Sequence, residues 1–106
     1  MTVDSELLQQ IVSRIVETAR PDRVILFGSA ATGEMTTDSD LDLLVIAPEV
    51  SDPRDEGRRL RAAVGAVPLP VDVIVMSRER FEETKEIVGG IAYPANKYGR
   101  VLYEAA

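Results

Sequence analysis

Cysteine and histidine are both absent from this chain of 106 residues. Without cysteine, the protein can form neither disulfide bonds nor zinc sites with thiolate ligands. Without histidine, it lacks the usual general base of enzymes and the usual ligand of transition metals. Any metal that this chain binds must therefore be a hard cation held by oxygen atoms, and Mg²⁺ or Mn²⁺ is the natural candidate.

Long apolar segments are also missing from the sequence. No run approaches the roughly 20 apolar residues that a membrane-spanning helix needs. The segment Met1–Gln10 is acidic and polar, unlike a secretory signal, which is basic and then apolar. The sequence therefore predicts a cytoplasmic protein that has no membrane partner.

Basic residues are fewer than acidic ones, with 12 lysines and arginines against 18 aspartates and glutamates, a net charge of −6. A surface of this sign repels a phosphate backbone, so we expect no direct binding to DNA or RNA. The length, the ordinary hydrophobic fraction of 45% and the absence of repeats or linkers predict a single domain over residues 1–106.

Hydrophobic periodicity predicts alternating helices and strands. Helices are expected at Ser5–Ala19, Arg54–Val64 and Arg78–Val88, and strands at Arg23–Phe27, Leu41–Ala47, Val71–Met76 and Arg100–Tyr103. Gly89 and Gly90 should break the third helix, whereas Ile91–Tyr98 is ambiguous and could hold one irregular helical turn.

The connections between these elements predict the fold class. A short connection without a full helix favours antiparallel pairing of the first two strands, and the helix before the third strand favours a parallel crossover. We therefore expect an α/β (α+β) domain in the order α-β-β-α-β-α-β, with helices packed on a mixed sheet of about four strands. The last strand should lie at an edge of this sheet.

Acidic residues stand at the beginning of two predicted strands. Asp40 and Asp42 open the second strand and, because side chains alternate along a strand, they should point the same way while Leu41 and Leu43 enter the core. If the second and third strands are parallel neighbours, Asp72 faces this pair. Three carboxylates so placed could hold one or two Mg²⁺ ions.

A turn of small residues follows the first strand and begins with Gly28 and Ser29. Glycine lets the backbone approach a phosphate closely, and the backbone N–H groups of a following helical turn, Ser29–Ala31, could donate to phosphate oxygens. Gly33 would end that turn. We refer to Gly28, Ser29 and the three aspartates as the acidic corner.

Each of these features also has an ordinary structural interpretation. Gly-Ser pairs are common in turns, acidic residues often flank strands, and Asp72 could simply occupy an edge position. Asp38 fits a loop acid or an Asx-turn better than a group that supports a ligand. The combination favours function more than any one feature, because both pairs lie at compatible strand ends and a third acid lies where the topology needs one.

In this chain, Gly28-Ser29 is followed by ten residues and then by Asp40-Leu41-Asp42. This spacing resembles the signature of the nucleotidyltransferase superfamily of DNA polymerase beta. The chain is most similar to the minimal nucleotidyltransferases of bacteria and archaea, from the first helix to the ending Gly99–Glu104. The resemblance implies that Asp40, Asp42 and Asp72 bind Mg²⁺ (or Mn²⁺) and catalyse, and that Gly28 and Ser29 contact the phosphates of ATP or another nucleoside triphosphate.

The same resemblance implies a partner protein. Minimal members often form the antitoxin half of a two-gene module whose other half is a helical HEPN-type ribonuclease toxin, neutralised by binding or by attachment of AMP to a tyrosine. This function, with AMP from ATP transferred to a protein hydroxyl, is the first hypothesis. A homo-oligomer is also possible. Transfer to a small molecule is less favoured, because 106 residues leave no room for a separate acceptor-binding domain.

The sequence departs from the family pattern at Ala30 and Thr32, where many members carry arginine. An arginine–phosphate pair is charge-assisted, so its loss favours a second hypothesis, a binding module with a weak or inactive site. Arg23, Arg58 and Lys97 are the local candidates for a replacement cation. The apolar segment Ile91–Pro94 could belong to the core or to a partner-binding patch.

Overall fold

The computed structural model describes residues 5–32 and 40–105, and the expectations for Gly33, Asp38 and the loop around Asp38 lie outside them. The described residues form a mixed α/β domain, and its elements follow in chain order. These are α1 (Ser5–Ala19), β1 (Arg23–Phe27), α2 (Ser29–Thr32), β2 (Leu41–Ala47), α3 (Pro53–Val64), β3 (Val71–Ser77), α4 (Arg78–Thr84), α5 (Ala92–Tyr98) and β4 (Arg100–Glu104).

The four strands form one sheet in the order β3-β2-β1-β4. β1 pairs antiparallel with both β2 and β4, and β2 pairs parallel with β3. The expected pairings and the edge position of β4 are therefore confirmed. The parallel crossover through α3 brings the first residues of β2 and β3 to the same end of the sheet, which is also the end at which β1 finishes.

Side chains on the two faces of the sheet belong to two separate core clusters, because alternate residues of each strand point to opposite faces. The larger cluster joins one face to α1 and α3 through residues such as Ile11, Ile15 and Leu60. The smaller cluster joins the other face to α4 and α5 and contains Phe81 and Ala95. The sheet therefore lies between two layers of helices.

Local sequence explains where α3 and α4 begin. The side chain of Asp52 accepts a hydrogen bond from the backbone N–H of Asp55 (3.2 Å), and Pro53 occupies the first turn. Ser77 caps α4, since its hydroxyl accepts a hydrogen bond from the N–H of Arg80 (3.1 Å). Each cap satisfies a donor that has no partner within its helix.

The prediction that α4 reaches Val88 is wrong. The helix ends at Thr84, whose hydroxyl donates back to the carbonyl of Arg80 (2.7 Å), a bond that competes with the regular helical pattern. Phe81 is the residue of this helix that is buried in the core, whereas Ile87 and Val88 are 60% and 77% exposed. A further helical turn would therefore bury no additional apolar side chain against the sheet.

The ambiguous segment after α4 forms a regular helix of seven residues, α5, rather than one irregular turn. Ala92 and Ala95 are buried against the sheet, Tyr93 and Pro94 are half-buried, and Ile91 is exposed. The apolar segment Ile91–Pro94 is thus divided between core and surface. In residues 5–32 and 40–105, no helix is long and apolar enough to span a membrane.

Candidate functional site

One row of residues crosses the sheet at the end where β1 finishes. Phe27 on β1 pairs with Asp42 on β2, and Asp42 pairs in register with Asp72 on β3. Register partners on neighbouring strands lie about 5 Å apart and point to the same face. The structure therefore brings Asp42 and Asp72 together on the face that carries α4 and α5, as the alternation of side chains predicted.

Gly28 lies directly against the carboxylate of Asp42. Its φ of +73° is a conformation that other residues adopt with strain, and a Cβ atom at this position would lie 2.5 Å from Asp42 Oδ2. Glycine is therefore required here for two reasons, its backbone conformation and the close approach of the acid. The arrangement leaves backbone beside the carboxylate where any other residue would place a side chain.

Ser29 begins α2 immediately after this glycine. The N–H groups of Ala31 and Thr32 donate to the carbonyl of Gly28 (3.2 and 3.4 Å), so the chain turns into a helix without an intervening loop. The first N–H groups of a helix have no acceptor within it. This turn confirms the helical conformation expected for Ser29–Ala31.

Electrostatic repulsion is concentrated at Asp42. The side chain is half-buried, and this burial raises its pKa, as do the nearby carboxylates of Asp72 and Asp40. Asp40 and Asp72 themselves are exposed. Both other acids of the predicted site therefore lie near enough to raise the pKa of Asp42.

Among residues 5–32 and 40–105, no group of three or more acidic side chains is arranged closely enough to hold a metal ion. Mutual repulsion favours carboxylates that turn away from one another. The donor atoms nevertheless fit a hard divalent cation, because every candidate ligand is a carboxylate oxygen. The ligand set Asp40, Asp42 and Asp72 therefore stays a prediction.

The three cations considered as replacements for the missing arginines lie in different places. Arg23 is at the opposite end of β1, where it pairs with Ile46 and forms an ion pair with Glu104 (3.7 Å), so it cannot serve the acidic corner. Arg58 lies on α3 and lines a groove together with Asp72. Lys97 lies in the last turn of α5.

Lys97 lies on the helix that packs on the same face of the sheet as Asp42, near the end at which β1 finishes. The strand that follows it, β4, begins at Arg100, the partner of Leu26 at the end of β1. Lys97 Nζ donates to the hydroxyl of Tyr93 (3.2 Å) and lies 5.4 Å from the centre of the Tyr98 ring. These contacts raise the pKa of Lys97 and keep it positively charged.

Sequence reasoning missed the two arginines that accompany Arg58. Arg54 and Arg61 line the same groove beside β3. Their positions, four residues before and three after Arg58, place all three on one stripe of a helix. That spacing was a usable signal, but which elements border the stripe depends on how α3 packs on the sheet.

Comparison with known proteins agrees with this geometry. The family model of the nucleotidyltransferase domain matches residues 6–93, from α1 into α5. A solved structure from Sulfolobus solfataricus, provisionally assigned as a nucleotidyltransferase, aligns with 93% of this chain and 78% of its own, at 18% identity and a TM-score of 0.63. No curated protein matches the chain.

A second solved structure, of a toxin–antitoxin with AMP-PNP, aligns with 92% of this chain and 73% of its own, at 17% identity and a TM-score of 0.57. At these identities the two structures show a shared fold. The family match covers most of the chain and includes the sheet end with the Gly-Ser and Asp-x-Asp pairs. This protein therefore belongs to the nucleotidyltransferase domain family, as the resemblance of its signature to minimal nucleotidyltransferases indicated.

Proposed function

We propose that this chain transfers a nucleoside monophosphate, AMP from ATP, to a hydroxyl group on a partner protein, in a reaction that depends on Mg²⁺ (or Mn²⁺). The observation that carries the proposal is the contact between Gly28 and Asp42, with Asp72 in register beside them. This contact places a backbone surface suited to phosphate next to acidic oxygens suited to a cation.

The residues of the acidic corner divide between two roles in the proposal. The backbone of Gly28 and the first turn of α2, beginning with Ser29, would bind phosphate oxygens. Asp40, Asp42 and Asp72 would hold the cation. When bound, the cation offsets the charge of the triphosphate and lowers the pKa of the attacking hydroxyl, in a chain that has no histidine to act as a base.

The proposed transfer exchanges one phosphorus–oxygen bond for another. The hydroxyl oxygen of the acceptor bonds to the α-phosphorus of ATP, the bond from that phosphorus to the oxygen bridging to the β-phosphate breaks, and pyrophosphate leaves with the electron pair. The hydroxyl proton passes to a carboxylate of the acidic corner and then to solvent. AMP becomes esterified to the acceptor.

The partner in this proposal is a toxin of the HEPN type, for which the chain would be the antitoxin. A structural neighbour is a toxin–antitoxin with AMP-PNP, which supports a protein partner and an adenine nucleotide together. Residues 5–32 and 40–105 form one sheet and two helical layers, and in this proposal the partner supplies the acceptor hydroxyl.

A second candidate function is neutralisation of the toxin by binding alone. The observation that favours it is the identity of two residues in α2, Ala30 and Thr32, which bring no positive charge to the place where the triphosphate would lie. The two functions differ in what they require of the aspartates. Transfer needs them, whereas occlusion of a toxin does not.

The proposal is tested by incubating the chain with α-labelled ATP, Mg²⁺ and a lysate of its host. We expect label in a discrete protein band, lost with Asp42→Asn or Asp40→Asn and retained with Asp55→Asn, an exposed acid of α3 that serves as the control. Chelation of the metal should abolish the label.

Failure to label any protein with Mg²⁺ or Mn²⁺ would contradict the enzymatic proposal. Calorimetry then separates the two candidate functions. If ATP binding is undetectable and Asp40→Asn still neutralises a co-purified toxin, the chain acts by binding alone.

A further inference from the structure

A groove of about 620 Å³ runs between α3 and the edge strand β3 and reaches the acidic corner at Asp72. Arg54, Arg58 and Arg61 form its helical side, and Val71–Val75 forms its sheet side. We call these residues the arginine groove. It differs from the predicted phosphate site, which lies two strands away at the end of β1.

The charge of the arginine groove is opposite to the net charge of −6 of the whole chain. Arg54 and Arg58 are exposed, and neither forms an ion pair with any residue in the described ranges. The acids of the same helix, Asp55 and Glu56, line a different cavity, and Glu56 is paired with Arg59. Two of the three arginines are therefore available to an anionic partner.

The edge of β3 is already covered at the carbonyl groups of Val71 and Val73. Arg61 Nε donates to the carbonyl of Val71 (3.1 Å), and its NH1 donates to the carbonyl of Gly65 (3.0 Å). Gly57 approaches so closely that a Cβ there would lie 3.0 Å from the carbonyl of Val73. An added strand would need these carbonyls, so an occupant is recognised by the side chains and not by extension of the sheet.

The groove lies beyond Asp72, on the side of the corner that is away from Gly28. Across the sheet, the order is Gly28 at the end of β1, Asp42 on β2, Asp72 on β3, and then the arginines. In phosphoryl transfer the attacking and leaving oxygens are roughly in line. If pyrophosphate leaves on the side of Gly28, the attacking hydroxyl enters on the side of β3.

We propose that the arginine groove docks an acidic segment of the acceptor protein and so presents the hydroxyl of that segment at Asp72. This inference rests on the proposed function and deepens it, because it gives the acceptor a chemistry. The net charge of −6 repels an acidic segment from the chain as a whole, whereas the exposed arginines of the groove attract it, so the charge pattern favours binding at this stripe.

The test uses a fluorescent copolymer of glutamate and tyrosine as the acidic probe and a copolymer of lysine and tyrosine as its counterpart. Binding is measured by anisotropy with the intact chain and with two double variants. Arg54→Glu/Arg58→Glu reverses the charge of the arginine groove. Arg20→Glu/Arg80→Glu makes the same change of charge at exposed arginines outside the groove.

We expect the chain to bind the acidic copolymer and the groove variant to bind it about tenfold more weakly or worse, equivalent to about 1.4 kcal/mol. The control variant should bind as the parent does, and salt should weaken binding because exposed charges are screened. Binding of Mg²⁺ with a non-hydrolysable ATP analogue, followed by thermal shift, should be the same in all three proteins.

Equal losses in both double variants, or no binding of the acidic copolymer, would overturn the inference. A loss of nucleotide binding in the groove variant would assign the groove to the nucleotide instead. Self-association abolished by Arg54→Glu/Arg58→Glu in sedimentation would assign it to a second copy of the chain. If the copolymer binds in the groove but no nucleotide binds, the proposed function fails while the docking surface stands.

Discussion

At the scale of single residues, Asp42 lies where an ionised side chain is unfavourable. Its carboxylate is half-buried, touches the backbone at Gly28 and has Asp72 and Asp40 as neighbours of the same charge. A residue chosen for stability alone would not carry a charge here. Such a destabilised acid is typical of functional sites, where burial and like charges are maintained for the sake of ligand binding.

We predict that Asp42→Asn stabilises the fold at neutral pH while it removes nucleotide transfer. Because the pKa of Asp42 is raised in the folded state, the native protein binds more protons than the unfolded one between the two pKa values. The cost of the ionised group is therefore complete above the folded pKa and is relieved as the pH falls through it.

Thermal unfolding of the parent and of Asp42→Asn between about pH 4 and pH 8 checks this sign. The variant should melt at a higher temperature at the upper end, and the difference should shrink toward the acidic end. Glu49→Gln, which removes an exposed carboxylate, provides the comparison and should change the melting temperature little at any pH. A variant that melts lower than the parent at neutral pH would contradict the prediction.

At the scale of elements, the junction between β1 and α2 is the most constrained part of the site. The strand ends at Phe27, the helix begins at Ser29, and the single residue between them has φ +73°. This abrupt change brings the residue before the helix against the carboxylate of Asp42 on β2. The junction thus depends on a glycine for both its backbone conformation and its contact with Asp42.

Gly28→Ala should therefore reduce nucleotide binding as well as stability. The left-handed conformation costs a residue with a side chain about 1–2 kcal/mol, and the new methyl group would push against the Asp42 carboxylate. Gly89→Ala is a matched control, since Gly89 also has a positive φ (+121°) but open space around it. In a thermal-shift assay with Mg²⁺ and an ATP analogue, Gly28→Ala should lose nucleotide binding and Gly89→Ala should retain it. Equal loss in the two variants would argue against a site at Gly28.

At the scale of the whole molecule, the two faces of the sheet differ in the number of side chains that they bury. Among the residues that the structure describes, the larger cluster, with α1 and α3, contains twelve buried residues, whereas the cluster with α4 and α5 contains six. Asp42 and Asp72 lie on the face of the smaller cluster, in the same alternation as Leu44 and Ile74. The site is thus built on the less extensively packed side, where loosening of the helices would disturb it directly.

Because the candidate site lies on the face of the smaller cluster, substitutions that lower stability equally in the two clusters should affect nucleotide binding unequally. Phe81→Leu in the smaller cluster and Ile15→Val in the larger one should each lower the free energy of unfolding by roughly 1 kcal/mol. Urea titrations check that match. Only Phe81→Leu should weaken binding of the ATP analogue, and a similar weakening by Ile15→Val would show that the two layers are not independent.

Much of the local structure could be predicted because it depends on neighbours in the chain. The bounds of α1, β1 and β2 follow from hydrophobic periodicity, and the alternation along β2 places Asp42 on the face opposite Leu41. The end of α4 could not be predicted, because it depends on where contact with the sheet stops. In the sequence alone, the apolar side chains of Ile87 and Val88 indicate that the helix continues, although the structure shows both of them exposed.

The sequence by itself determined the family signature, its acidic residues and the glycine before them, since spacing and side-chain chemistry are properties of the chain. Only the tertiary structure decided which of these residues meet. In the sheet with the strand order β3-β2-β1-β4, Asp72 is in register with Asp42, and Arg23 lies at the opposite end of β1. Three arginines of α3 lie beside β3. The physical reason is that distances between separate strands and helices depend on register and packing, which act between residues far apart in the chain.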